Sequence, residues 1–358
     1  MTGATDMYAE RIGELRAAIA RFPRVALTQT PTPLEEMPRL TAHLGGPHLW
    51  VKRDDLTGLA LGGNKSRMFE FILGEAESRS VDVVLAGFAV QSNYCRQLAA
   101  ACAKRGIECQ LLLRRVRGDR DREIQGNYLL NMLLGAKVEI LDDCPDWQEQ
   151  AKVLRARAEN LQRSGRRVYV ARVGDQQNLG LDAIAYVDAA LELLEQAEAK
   201  GLNLDQIWLC SSDTTQAGLA LALKHLGHPA RLVGVPAVTT PVGNRGGTFT
   251  ETMASVANQA AGLLGLRTRL CPEDFISLSG YAEPAYGEVS EAGFEAMRCA
   301  ARLESLILDP VYTGKGFAAL LDHIRREQIP HGDTVVFIHT GGVPALFAYA
   351  SELPFALA

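Results

Sequence analysis

Short apolar runs alternate with longer stretches of helical spacing along most of the chain. Residues 81–86, 109–113, 137–141, 167–171, 206–210, 232–235 and 334–338 are brief runs rich in Val, Leu and Ile, and read as strands. Between and after them, 93–104, 121–134, 147–162, 179–199, 215–225, 249–264 and 291–303 repeat apolar residues at helical spacing and predict helices. An N-terminal helix is predicted over 7–21, with Ile12, Leu15, Ala18 and Ile19 on one face. Pro23, Pro31, Pro33 and Pro38 then mark an extended lead-in to a short strand at 49–51. Regular strand–helix alternation implies an α/β fold with mostly parallel sheets and helices on both faces. In such folds ligands sit beyond the carboxyl ends of strands, near helix N-termini.

The polar loops after strands are therefore the places to search. Gly87 to Asn93 follows the strand at 81–86, and either Ser92 or Asn93 suits the cap of the next helix. Ser211-Ser212-Asp213-Thr214-Thr215 follows the strand at 206–210 and runs up to a helix start. A cap needs one such side chain; a row of them, with the helix's leading N–H groups, suits a phosphate. Asp309 to Gly316 precedes a further helix, and His339 to Pro344 follows the last strand.

The organising stretch is Gly58-Leu59-Ala60-Leu61-Gly62-Gly63-Asn64-Lys65-Ser66-Arg67. Glycine lets the backbone approach a ligand and take positive φ. A lysine that loses solvent there drops in pKa, and its neutral amine can form a Schiff base with a carbonyl. The bland alternative is a solvated lysine on a capping loop. The spacing argues against a phosphate-binding nucleotide loop, because Asn64 stands between Gly63 and Lys65 and the run before the turn, 49–55, is only briefly apolar.

Bulk properties narrow the class. A chain of 358 residues suits two lobes, and 47% hydrophobic with 22% charged residues is ordinary for a soluble enzyme. A net charge of −5 leaves no basic footprint for nucleic acid, and no apolar run reaches membrane-span length. The N-terminus has no signal-peptide pattern. Seven scattered cysteines without a CxxC pair read as reduced thiols of a cytoplasmic protein. Cys95 and Cys102 share a helix face, which suits packing. The histidines have no metal spacing; His225 and His228 flank Gly227 at a helix end. No metal site is expected.

A candidate amine, a phosphate cradle and tyrosine-bearing polar loops together describe a pyridoxal phosphate site. From Pro31-Thr32-Pro33-Leu34-Glu35 to Pro344-Ala345-Leu346 the chain resembles the D-cysteine desulfhydrase and 1-aminocyclopropane-1-carboxylate (ACC) deaminase family, a branch of the fold type II, tryptophan-synthase-β-like pyridoxal phosphate enzymes. Lys52-Arg53-Asp54-Asp55, Gly62-Gly63-Asn64-Lys65, Gln91-Ser92-Asn93, Thr215-Gln216-Ala217-Gly218, Asp309-Pro310-Val311-Tyr312 and His339-Thr340-Gly341-Gly342 carry the resemblance. It implies that Lys65 holds the cofactor's aldehyde and moves protons at the substrate carbon. It places Asn93 against the cofactor ring, and Gln91 and Ser92 at the substrate carboxylate. Ser212, Thr214 and Thr215 would bind the phosphate, and Tyr286 and Tyr312 would face the substrate. It implies two α/β lobes, a small domain of 68–174 and a large one of 1–67 with 175–358, with the cofactor between them, and a homodimer.

Two positions bear on the reaction. ACC deaminases resemble the chain but carry glutamate at Thr313 and leucine at Thr340. A glutamate there keeps the cofactor's ring nitrogen protonated, whereas threonine only shares a hydrogen bond. The expected reaction is therefore β-elimination from a small amino acid, D-cysteine first, giving pyruvate, ammonia and sulfide. L-cysteate sulfo-lyase activity, ACC deamination and a non-catalytic binder of cofactor or amino acid remain alternatives. The chain departs from the family at Asp213 within the phosphate loop, at Tyr94-Cys95-Arg96, at Met68, and at Gly174-Asp175-Gln176-Gln177-Asn178. An aspartate beside a phosphate costs energy unless it points away or caps a helix.

Overall fold

The computed structural model describes residues 2–172, 179–239 and 247–355. The turn at 174–178 lies outside them. In chain order the elements are α1 (Thr2–Ile19), β1 (Leu34–Glu36), α2 (Pro38–Leu44), β2 (His48–Lys52), α3 (Lys65–Ser78), β3 (Val83–Ala89), α4 (Asn93–Arg105), β4 (Glu108–Arg114), α5 (Gly126–Leu133), β5 (Lys137–Ile140), α6 (Trp147–Arg163) and β6 (Val168–Val170). There follow α7 (Gly180–Ala199), β7 (Gln206–Cys210), α8 (Thr214–Leu226), β8 (Arg231–Val235), α9 (Phe249–Leu264), β9 (Ile276–Ser277), α10 (Glu291–Glu304), α11 (Thr313–Arg325), β10 (Thr334–Ile338) and α12 (Val343–Leu346).

The strands form two sheets. A six-stranded sheet has the order β1-β2-β10-β7-β8-β9, and a four-stranded sheet the order β5-β4-β3-β6. β1 runs antiparallel to β2, and every other pairing is parallel. Phe337 of β10 lies between Val51 of β2 and Trp208 of β7, which centres the late strand among early ones. Strands buried on both faces read as continuous apolar runs, and all of β7 is buried for this reason.

The apolar core crosses from one sheet to the other. Phe69, Leu98 and Leu111 of α3, α4 and β4 belong to one cluster with Ile184, Leu221 and Ala257 of α7, α8 and α9. A second cluster on the outer face of the large sheet packs Trp208, Phe317 and Phe337, the last two edge to face at 4.9 Å. Among the described residues no helix is long and apolar enough to cross a membrane.

Several elements differ from the expectation. The proline-rich lead-in contains β1 and α2, because Pro38 sits in the first turn of α2, where its missing N–H costs nothing. The helix predicted over 121–134 starts at Gly126; a separate 3₁₀ turn covers Gly118–Asp121. β9 has two residues, too few to show any period. Cys95 and Cys102 of α4 are buried free thiols, as packing residues would be.

Candidate functional site

The first residue of α3 is Lys65, and the turn before it is rigidly held. Gly62 has φ of +68°, and a β-carbon there would lie 1.8 Å from the Asp55 carbonyl oxygen, so only glycine fits. Arg96 of α4, buried and with no carboxylate partner among the described residues, donates to the carbonyls of Ala60 and Gly62, the latter at 2.9 Å. The Asn64 N–H donates to the Thr340 carbonyl (2.9 Å), and Asn64 Nδ2 to Thr215 Oγ1 (3.0 Å). The lysine is thereby fixed to both the last strand's loop and the start of α8.

Its side chain faces a cavity of about 210 Å³ lined also by Ser92, Asn93, Ser212, Thr214, Thr215, Tyr286 and Tyr312. Residues far apart in sequence thus share one space, at the N-termini of α3, α4, α8 and α11. Ser92 caps α4, accepting from the Cys95 N–H at 3.2 Å. Asn93 Oδ1 accepts from Asn127 Nδ2 at 2.9 Å. Ser211 Oγ accepts from the N–H groups of Asp213 (3.5 Å) and Gln216 (3.3 Å), so the start of α8 is held from upstream while its hydroxyls face the cavity. The two tyrosine hydroxyls bond each other at 2.7 Å. Lys315 of α11 steadies the Tyr286 loop by donating to the carbonyls of Ala282 (2.8 Å) and Ala285 (2.9 Å).

Gln91, Thr313 and Thr340 do not line the cavity. Gln91 accepts from the Asn127 N–H at 2.9 Å and donates to the Gln125 carbonyl at 3.1 Å, tying α4 to α5. The Thr313 hydroxyl donates to Asp309 at 2.6 Å in a fully buried loop. Thr340 is buried behind Asn64 and offers its carbonyl to the turn.

Electrostatics favour a neutral amine. Burial, reinforced by the positive charge of Arg172, lowers the Lys65 pKa to about 8, against opposing pulls from Asp213, Cys210 and Asp182. Burial holds the Tyr286 phenol up at about 12, although the hydrogen bond from Tyr312 lowers it, and raises Tyr312 as well. Burial likewise keeps the Cys210 thiol neutral, at about 12.

Sequence reasoning missed several lining residues. Phe88, Tyr94 and Trp147 supply an aromatic wall; Trp147 lies 6.2 Å from Tyr286 and under the Arg114 guanidinium at 4.5 Å. Arg172 was also unforeseen, although it directly follows a predicted strand, the position the ligand rule singles out. It takes positive φ, +59°. Its Nε donates to Asp182 (2.7 Å), its Nη1 to Asp213 (2.9 Å) and its Nη2 to Thr214 Oγ1 (2.8 Å). Asp213 occupies the N-cap position of α8 without a side-chain cap bond, and its carboxylate pairs with Arg172.

The donor set suits pyridoxal phosphate: an amine of depressed pKa, hydroxyls around a helix N-terminus, aromatic walls for a flat ring. Tyr94 adds a buried hydroxyl with no hydrogen-bond partner among the described residues. The chain belongs to the family described as pyridoxal-phosphate dependent enzyme, whose model matches residues 25–341. Its cofactor is accordingly pyridoxal phosphate. It is 38% identical over 334 residues to the D-cysteine desulfhydrase of Salmonella typhi, covering 92% of this chain and 97% of that one. It is 39% identical over 337 residues to the D-cysteine desulfhydrase of Klebsiella pneumoniae subsp. pneumoniae, covering 94% and 98%. A solved structure described as an ACC deaminase homologue superposes with a TM-score of 0.83 at 34% identity, covering 95% of this chain and 98% of the other. The two-lobed α/β reading with parallel sheets agrees with that neighbour.

Proposed function

We propose that the chain is a D-cysteine desulfhydrase that eliminates sulfide from D-cysteine to leave pyruvate and ammonia. The observation that carries this reading is the Lys65 amine, of lowered pKa, facing one cavity with Ser92 and the Tyr286–Tyr312 pair in a chain so similar to two D-cysteine desulfhydrases. Pyridoxal phosphate, when bound, supplies an aldehyde for amines and an electron sink for the carbon that loses its proton. Lys65 holds the cofactor and takes the proton from the substrate α-carbon. Ser92 and the leading amides of α4 meet the substrate carboxylate, and Asn93, fixed by Asn127, lies against the ring. Ser212, Thr214 and Thr215 hold the phosphate with the α8 amides. Tyr286 and Tyr312 are hydrogen-bonded to each other and each keeps its own proton, so the phenol whose hydrogen is free of that bond can donate it to a departing thiolate. Gln91, Thr313 and Thr340 act by orienting Asn127, the Asp309 loop and Asn64. At 313, where ACC deaminases carry glutamate, the chain has a threonine whose hydroxyl is turned to Asp309, so no carboxylate stands there to protonate a ring nitrogen.

We also propose that 68–174 forms the small domain, that 1–67 with 175–358 forms the large one, and that the working unit is a homodimer. Limited proteolysis and sedimentation check the two statements. The activity is tested by sulfide release from D- and L-cysteine by the cofactor-loaded protein. Release from the D-isomer alone is expected. No sulfide from either isomer, with the visible cofactor band present, overturns the substrate assignment and turns the assay to cysteate and ACC.

A further inference from the structure

The Arg172 cluster lies where the phosphate cradle is read, and the proposed function gives it no task. Nη1 and Nη2 of the guanidinium contact cradle residues, Asp213 and Thr214, while Nε and Nη2 both lie 2.7 Å from the carboxylate of Asp182 in α7. The guanidinium also stacks over the Tyr94 ring, 5.0 Å from its centroid. We propose that Arg172 is a ligand of the cofactor phosphate and that Asp213 is a resident counter-ion which yields its place when the phosphate binds. The inference rests on the pyridoxal phosphate reading of the cavity.

The physical argument is one of charge and access. A carboxylate inside the cradle repels a phosphate dianion, so Asp213 as it stands opposes cofactor binding. Arginine matches phosphate oxygens in a bidentate manner and cannot lose its charge. Its two carboxylate partners are not equivalent. The Asp182 side chain is 5% exposed and the Asp213 side chain 36% exposed. Only Asp213 has water to turn to; Asp182 stays and keeps the guanidinium aimed. The Arg172 charge, which also lowers the Lys65 pKa, thus serves the phosphate end and the amine end of one ligand.

The test is a visible-absorbance titration of the resolved apo-protein with pyridoxal phosphate and, separately, with pyridoxal, which has the aldehyde but no phosphate. Arg172→Met should lower the ratio of pyridoxal phosphate to pyridoxal affinity by about tenfold or more, the loss of a charge-assisted contact, since its effect through the Lys65 pKa falls on both ligands alike. Arg172→Lys should recover part of the loss. Asp213→Asn should tighten pyridoxal phosphate binding by about threefold or more beyond any change in pyridoxal binding, which feels only the shared Lys65 effect. Equal weakening of both ligands in Arg172→Met would mean a purely structural ion pair and overturns the proposal. If Arg172→Met does not fold, Asp213→Asn decides alone, and unchanged pyridoxal phosphate affinity overturns it. Should wild-type protein develop no visible band with either ligand, the cofactor reading itself falls, and this proposal with it; a band in wild type with no variant effect removes only the proposal.

Discussion

At the scale of single residues, the chemistry turns on how easily Lys65 loses its proton. Burial and Arg172 together put its pKa at about 8, so about a tenth of the amine is neutral at pH 7 and about half at pH 8. The rate at which apo-protein develops the visible cofactor band should rise with pH through a midpoint near 8 rather than 10.5. A flat profile between about pH 7 and 9 would contradict this. Removing the positive charge in Arg172→Met should move the midpoint upward, while Asp213, Cys210 and Asp182 continue to pull in that direction. Stability shows the same shift. The folded state binds the Lys65 proton less tightly than the unfolded chain; this cost is complete below the folded value and is relieved as pH climbs through it toward 10.5. Lys65→Ala should abolish the band and the activity. Lys65 was legible because glycines, a helix start and a lysine coincide in a few residues. Arg172 was not, because its partners Asp182 and Asp213 lie on two different helices.

Elements decide how such residues are aimed. Asp309, fully buried, accepts from the N–H groups of Val311, Tyr312 and Thr313, each at 2.9 Å, and from the Thr313 hydroxyl. It therefore holds the turn that enters α11 and supports Tyr312, the residue at that helix's N-cap. Asp309→Ala leaves those donors buried and unpaired and should cost about 2–3 kcal/mol, read from the urea midpoint at unchanged slope. Activity should fall further than stability explains, because the Tyr286–Tyr312 bond depends on that loop. The longer strands and helices were legible from period alone, within a few residues at each end. β1, α2 and β9 were not: they are short, and packing rather than sequence pattern selects them.

The whole molecule is held around the site by a buried ionic network. Arg67, two positions after Lys65, pairs with Asp54 (2.9 Å) and Glu192 (2.8 Å), and Lys52 donates to Glu192 and to the Thr32 carbonyl. α3, α7 and the edge of the large sheet are thereby locked together. Glu192→Ala should destabilise by about 3 kcal/mol in urea unfolding, since Lys52 and Arg67 stay buried with fewer partners. Burial alone would raise the pKa of Asp54 and Glu192, but Arg67 lies close enough to carry both below their ordinary values. Their contribution is therefore complete above the unfolded values, 3.8 and 4.5, and is lost as pH falls through the lower folded ones. Wild type should lose more stability on acidification than Glu192→Ala; parallel losses would show that the network does not govern the acid limb.

Local chemistry was enough to settle the α/β class, the positions of the main strands and helices, Lys65, the hydroxyl loop and the family resemblance, because each depends on residues adjacent or periodic in the chain. Only the tertiary structure decided which loops meet. It set Phe337 between strands of the first and middle thirds, joined Tyr286 to Tyr312, withdrew Gln91, Thr313 and Thr340 from the cavity surface, and brought Arg172 to Asp213 and Thr214 at the start of α8. Those pairings join residues tens to hundreds of positions apart, and no local pattern specifies them; packing of the two sheets' helices into one core does.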